Sequence, residues 1–310
     1  NTKAPVLIWL QGGPGGSSLF GLFSEMGPLG INDNMTTFER AHTWNQEYAM
    51  IFIDNPVGAG FSYTGTGSYC NNTKTDVASN LYSLITQFYT IFPDQLANDL
   101  FITGESYGGH YVPAFAYYIH EQNKLNPSVV VPLKGIAVGD GWIDPVIQMA
   151  GYPDLIYNIG MADGKQKAVI QGYCDKTIAE IESGDMRGAF NTWDQMLNGD
   201  IFPYPNYFHN ISGSNDYDNF MNTNAPKSFG YYAEFCNQPS VRKSINVGNA
   251  TLNDGHKCEM HLVEDFMVSF KSELATLLDA KYKVLIYSGQ LDVIIGGSLT
   301  ERFMPTVPWS

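Results

Sequence analysis

Gly104-Glu105-Ser106-Tyr107-Gly108 places a serine between two glycines, directly after Leu100-Phe101-Ile102-Thr103, a short apolar run of the kind that forms a buried strand. Downstream, Tyr111 to Gln122 is free of internal breakers after Pro113 and reads as a helix. Strand, tight turn and helix around G-x-S-x-G is the setting of a nucleophile elbow, in which the turn pushes the serine out into solvent. The glycines leave room where strand and helix cross. A second stretch, Trp9-Leu10-Gln11-Gly12-Gly13-Pro14-Gly15-Gly16-Ser17-Ser18, lies some ninety residues upstream. It follows Pro5 to Leu10, which reads as an early strand. Attack by Ser106 on a carbonyl would create an oxyanion, and backbone N–H groups must already face the place where that charge develops. One such donor is expected from the residue after the nucleophile, Tyr107, and the other from the glycine loop opened by Gly12-Gly13.

Working outward, strand-like runs recur at Val6 to Leu10, Met50 to Asp54, Leu100 to Thr103, Gly135 to Val138 and Lys283 to Tyr287. A helical stretch from Asp76 to Phe92 keeps Val77, Leu81, Leu84, Ile85, Phe88 and Ile91 near a 3.6-residue period. This alternation predicts an α/β fold with a mostly parallel central sheet covered by helices on both faces. The pattern breaks after Asp144-Pro145, where helix-like segments such as Gly164 to Ser183 and polar aromatic loops replace buried strands. The expected organisation is a core in two parts, residues 1–147 and 251–310, with a helical cap insertion over 148–250 above the carboxyl ends of the strands.

Bulk properties narrow the function classes. The 310 residues carry 17 Lys+Arg against 31 Asp+Glu, a net charge of -14, which argues against nucleic acid or an anionic membrane as partner. No run approaches the ~18 to 20 apolar residues of a membrane span. Four N-x-[ST] sequons, at Asn34, Asn71, Asn210 and Asn249, stand beside four cysteines, Cys70, Cys174, Cys236 and Cys258. Together they lean toward a glycosylated product of the secretory route, with three disulfide pairings open and no metal-ligand spacing. Because the chain starts at Asn1 and enters a core strand within five residues, it reads as a segment of a longer protein.

Triads on such a fold run nucleophile, acid, histidine along the chain. Tyr287-Ser288-Gly289-Gln290-Leu291-Asp292 supplies Asp292 just past a late strand, the candidate for orienting the histidine. The histidines, at 42, 110, 120, 209, 256 and 261, all precede Asp292. His110 lies four residues past Ser106 on the same helix and is expected to be packed behind the elbow. His256 and His261 are expected at the surface or in packing. The general base is therefore absent from this chain, which is expected to have little hydrolytic activity alone.

With these residues assembled, the chain resembles the serine carboxypeptidases of peptidase family S10, in their vitellogenic-like branch. The resemblance spans the Trp9 to Ser18 run, Ile53-Asp54-Asn55-Pro56-Val57-Gly58-Ala59-Gly60-Phe61-Ser62, the Thr103 to Pro113 elbow, Gly139-Asp140-Gly141-Trp142-Ile143-Asp144-Pro145, and Tyr287 to Asp292. It implies an α/β-hydrolase fold with a helical cap, a lysosomal or extracellular location, and release of C-terminal amino acids from peptides or proteins through an acyl-enzyme on Ser106. It also implies Asp292 as triad acid, Gly13 and Tyr107 as oxyanion donors, and Gln11, Gly12, Glu25 and Glu105 around the substrate's terminal carboxylate, with the catalytic histidine beyond Ser310. Gln11 replaces an asparagine common in the family and Gly16 replaces a cysteine; both suit the vitellogenic-like branch. Neither cofactor nor metal is called for. A carboxylate clamp containing two glutamates requires shared protons, because a like charge and desolvation raise a carboxyl pKa, and this predicts tighter substrate binding in acid. Acyltransferases reuse such a site with an alcohol in place of water, and a noncatalytic binding protein on the same scaffold is the answer of a different class.

Overall fold

The computed structural model describes residues 3–201 and 205–310. The strands, in chain order, are β1 (Val6–Leu10), β2 (Leu29–Ile31), β3 (Thr37–Glu39), β4 (Ala49–Phe52), β5 (Ala59–Gly60), β6 (Leu100–Glu105), β7 (Leu133–Gly139), β8 (Asn253–Asp254) and β9 (Lys283–Tyr287). Five of them form one parallel sheet in the order β4-β1-β6-β7-β9, and they coincide with the five apolar runs of the sequence. β2 with β3 and β5 with β8 make two small antiparallel pairs.

All five residues of β1 are buried, as a strand covered on both faces requires. Against the sheet pack α1 (Leu19–Ser24) and α3 (Gly108–Asn123), the latter contributing Val112, Phe115, Ala116 and Ile119 to the core, and α2 (Ala78–Ile91) packs on α3. α2 starts two residues later than the periodicity suggests. A π-helical turn, Thr73–Val77, precedes it, capped by Asn72, whose side-chain oxygen accepts from the Thr75 N–H at 2.9 Å. The buried stripe of this stretch is Val77, Leu81, Ile85 and Tyr89, whereas Leu84 and Ile91, both in the expected stripe, are 39% and 69% exposed. The spacing of four fixes that face and leaves Leu84 and Ile91 turned off it.

Past the sheet's fourth strand the chain turns helical. The described regular elements between residues 150 and 250 are Tyr152–Asn158, Gly164–Ser183, Met186–Trp193, the turn Asp194–Asn198, Tyr207–Ser212, Lys227–Gly230, Tyr231–Cys236 and Pro239–Ser244, all helical. Gly164–Ser183 is set by its ends: Asp163 and Gln166 form a capping box, and Gly184 closes the helix at φ 85°. The expected ranges 1–147 and 148–250 include residues 1, 2 and 202–204, which lie outside the described residues.

Topology locates the site. From β1 the chain lays β4 on one side, then crosses to the other side to add β6, β7 and β9 in turn. The strand order therefore reverses between β1 and β6, and a crevice opens at the carboxyl ends of these two strands. Register brings Leu10 beside Gly104, Glu105 beside Gly139 and Gly139 beside Tyr287. The residues that step off the sheet next are Gln11, Ser106, Asp140 and Ser288, so four distant segments converge on one edge.

Candidate active site

Ser106 occupies the turn between β6 and α3 with φ 56°, a left-handed backbone that a non-glycine residue adopts only under constraint. The constraint is visible. Its N–H donates to Gly139 O at 3.1 Å, and its carbonyl accepts from Gly109 N at 2.9 Å and Trp142 N at 3.0 Å. The elbow is thus fastened to the segment that follows β7. Gly12 crosses directly over it: a Cβ at that position would lie 2.7 Å from both Ser106 Cβ and Tyr107 N, so only glycine allows this approach.

The glycine loop is braced from below. Ser18 Oγ donates to Ile53 O at 2.6 Å and accepts from Gln11 N at 3.1 Å, while Ser17 Oγ donates to Asp54 Oδ1 at 2.5 Å. Gly13, Tyr107 and Ser106 line the same cavity of about 440 Å³. Tyr107 is anchored through its ring. Its hydroxyl donates to Asp265 Oδ2 at 2.9 Å and lies 3.3 Å from Thr73 Oγ1, and the same Asp265 oxygen accepts from Thr73 N at 3.0 Å. Sequence reasoning missed Asp265, which joins the elbow from 158 residues away.

On the other side of Ser106 stand carboxyl groups. Trp9 Nε1 donates to Gln11 Oε1 at 2.9 Å, which turns the Gln11 amide nitrogen toward Glu105 Oε1, 2.6 Å away. Glu25 meets Glu105 side chain to side chain, and burial followed by the Glu105 charge pushes Glu25 up to about 10. Glu25 therefore holds a proton across the neutral range. Asp292 is 8% exposed and accepts from Ile295 N at 3.2 Å. Burial, then the neighbouring Asp140, drives it well above the ordinary carboxylate range. Asp140 and Asp218 also line the cavity, each raised to about 6, first by desolvation. Neither had been singled out as a site residue by sequence. No Lys, Arg or His lines this cavity among the described residues.

The structure thus gathers Gln11, Gly12, Gly13, Glu25, Glu105, Ser106, Tyr107 and Asp292 around one space. Trp193, Asp200, Tyr217 and Tyr232, from the helical stretch that follows β7, add to its wall. The histidines stay out of it. His110 is fully buried, its Nδ1 donating to Trp142 O at 2.5 Å and its ring stacked on Tyr107. Desolvation lowers it to about 4, so it packs as a neutral ring. His256 and His261 are exposed on or at the end of the helix His256–Leu262. The four cysteines, whose pairing the sequence leaves open, are all free and buried. Asn34, Asn71, Asn210 and Asn249 are all exposed.

A family profile described as serine carboxypeptidase matches residues 1–310. The chain belongs to the serine carboxypeptidase family. This family member is 46% identical over 307 residues to the probable serine carboxypeptidase CPVL of Homo sapiens, covering 99% of this chain and 64% of the relative. It is 38% identical over 314 residues to the vitellogenic carboxypeptidase of Aedes aegypti, covering 99% and 65%. The chain thus spans slightly under two thirds of the length of the curated relatives it matches. Among solved structures it superposes on Kex1(delta)p, a prohormone-processing carboxypeptidase from Saccharomyces cerevisiae, with a TM-score of 0.85 and 22% identity, over 100% of this chain and 70% of that one. The fold of this carboxypeptidase-family chain is accordingly the α/β-hydrolase fold, with its parallel sheet at the centre.

Proposed function

We propose that the protein from which these residues come is a serine-type carboxypeptidase that releases C-terminal amino acids from peptides. The observation that carries this reading is the strained, accessible Ser106 sharing one cavity with the Gln11–Glu105–Glu25 array. Ser106 Oγ attacks the last peptide carbonyl, the N–H groups of Gly13 and Tyr107 receive the oxyanion, and Asp292 orients the histidine that takes the serine proton. That histidine is none of the six in this chain; we place it in the additional length that the relatives possess. The terminal carboxylate is held by the Gln11 amide, the Gly12 N–H and the carboxyl pair, whose shared proton turns a repulsive wall into a donor.

Because Glu25 keeps its proton through neutrality, its own titration does not produce the expected acid preference. Asp140 and Asp218, raised to about 6, do: as pH climbs past that value they ionise and repel the substrate carboxylate. The four sequons are proposed glycan sites, which fits a secreted or lysosomal glycoprotein. In the Asn71 sequon Thr73 is buried under the elbow, so a glycan there would be added before folding closes over that hydroxyl.

The complete polypeptide, assayed on a blocked dipeptide beside Ser106→Ala, tests the reading. We expect terminal amino-acid release to fall at least ~10³-fold in the variant, and wild-type KM to rise between pH 5 and 7.5. Release unaffected by the substitution rejects the mechanism; a flat KM rejects the role given to Asp140 and Asp218.

A further inference from the structure

Asp140 follows β7 between Gly139 and Gly141, with φ 42°. A third glycine would adopt this left-handed backbone without strain, so an aspartate there costs stability that its contacts must offset. Those contacts all lead to one place. Its N–H donates to Tyr287 O at 2.9 Å, and its Oδ1 accepts from Gly289 N at 2.7 Å. Backbone and side chain together grip the start of the loop that carries Asp292, and the two carboxyl groups line one cavity, where the Asp140 charge helps to raise Asp292.

We propose that Asp140 is a positioning residue for Asp292, tying the post-β9 loop to the end of β7 and holding the Asp292 carboxyl through a shared proton. This rests on the reading of Asp292 as triad acid. Two facing carboxyl groups attract only while one proton lies between them. The groups around the pair reinforce that demand: Glu105 from β6, Asp218 from the cap and Tyr287 from β9 are all acids, and no cation lines the cavity among the described residues. With one proton between them the pair keeps a single negative charge, and that charge stabilises the imidazolium formed when the base takes the Ser106 proton. Asp140 acts through Asp292 and need not touch substrate.

The test compares Asp140→Asn and Asp140→Ala in the complete protein. Asparagine keeps an acceptor for Gly289 N–H and offers Asp292 a permanent donor. We expect Asp140→Asn to retain at least ~10-fold more kcat than Asp140→Ala and to flatten its pH dependence around pH 6. Asp140→Ala should lose at least ~30-fold in kcat, with KM at pH 5, where Asp140 is protonated in wild type, changed less than ~3-fold. An Asp140→Ala enzyme within 3-fold of wild-type kcat overturns the proposal, and so does an Asp140→Asn enzyme with the wild-type pH profile. Ser106→Ala in the same assay reports separately on the carboxypeptidase reading. Independently of turnover, carboxyl 13C NMR of the folded protein should show the Asp292 titration moving to lower pH in Asp140→Asn; an unmoved titration overturns the pairing even if both enzymes are inactive.

Discussion

The two flanks of Ser106 are built on opposite principles. On the amide flank, the glycine loop and Tyr107 are pinned by fixed hydrogen bonds: Ser17 to Asp54, Ser18 to Ile53 and Gln11, Tyr107 and Thr73 to Asp265. On the acid flank, Glu25, Glu105, Asp140, Asp218 and Asp292 line one cavity with no cation among its described lining residues, and burial raises Glu25, Asp140, Asp218 and Asp292 above the ordinary carboxylate range. On the proposed carboxypeptidase reading, fixed geometry would serve the donors, because an oxyanion hole works only if it needs no rearrangement when charge develops. On the same reading titratable groups would serve substrate capture, because a wall that keeps or loses protons sets when a carboxylate is welcome.

The largest disturbance should come from the amide flank. Gly12→Ala sets a methyl group 2.7 Å from Ser106 Cβ and Tyr107 N and 2.8 Å from Glu105 O, atoms of a braced turn that have nowhere to go. We expect at least a ~10²-fold loss of kcat/KM, the scale on which catalytic groups displaced by about an ångström lose rate. Unfolding should become easier by about 1–3 kcal/mol through overpacking. Kinetics and thermal melts of this variant showing little change would mean that the loop is softer than its bonding implies, and the contrast between flanks would collapse.

Next in size is Asp265→Ala, which strips the acceptor from two buried donors at once. Each orphaned group costs about 1–3 kcal/mol, so we expect a loss of roughly 3 kcal/mol, or about 4–6 °C in Tm for a chain of this size. The sharper point is what should not move. Because Asp265 belongs to the fixed flank, the pH at which KM rises should stay where it is in wild type. A shifted KM profile would show the two flanks to be electrostatically one.

Legibility follows the same division. The strands of the sheet could be read because each is a compact apolar run, and the elbow because Gly104 to Gly108 carries its chemistry within five residues. Glu25 and Glu105 entered through the family resemblance, and their mutual contact depends on packing. Asp140 was in plain view inside Gly139-Asp140-Gly141-Trp142 yet carried no signal, since its role arises from the register that pairs Glu105 with Gly139 and Gly139 with Tyr287. Asp218 reaches the cavity from an irregular stretch between helices, where no periodicity exists to announce it. Asp265 meets the elbow only through a buried hydrogen bond from Tyr107, a contact across 158 residues of sequence. Side chains whose meaning depends on strand register or loop closure are the ones a linear reading cannot place.

The smallest effect is the most discriminating, because it isolates one proton. Glu25 rises from an ordinary value of 4.5 to about 10 on folding, so across that interval the folded state binds a proton that the unfolded chain has released. Stability from this group is greatest in acid and declines as pH rises toward 10, by about 1.4 kcal/mol per pH unit. His110 works the other way: lowered from 6.5 to about 4, it takes stability away only as pH falls below 6.5. Between pH 6.5 and 8.5 the Glu25 slope is therefore free of His110. Over that window Glu25→Gln, which keeps a donor toward Glu105 but cannot ionise, should show a shallower fall of Tm than wild type. The difference should reach about 2–4 °C per pH unit. Equal slopes would mean that Glu25 is ionised in the folded protein, that the wall facing the substrate carboxylate carries no shared proton, and that the acid flank is held by something other than protonation.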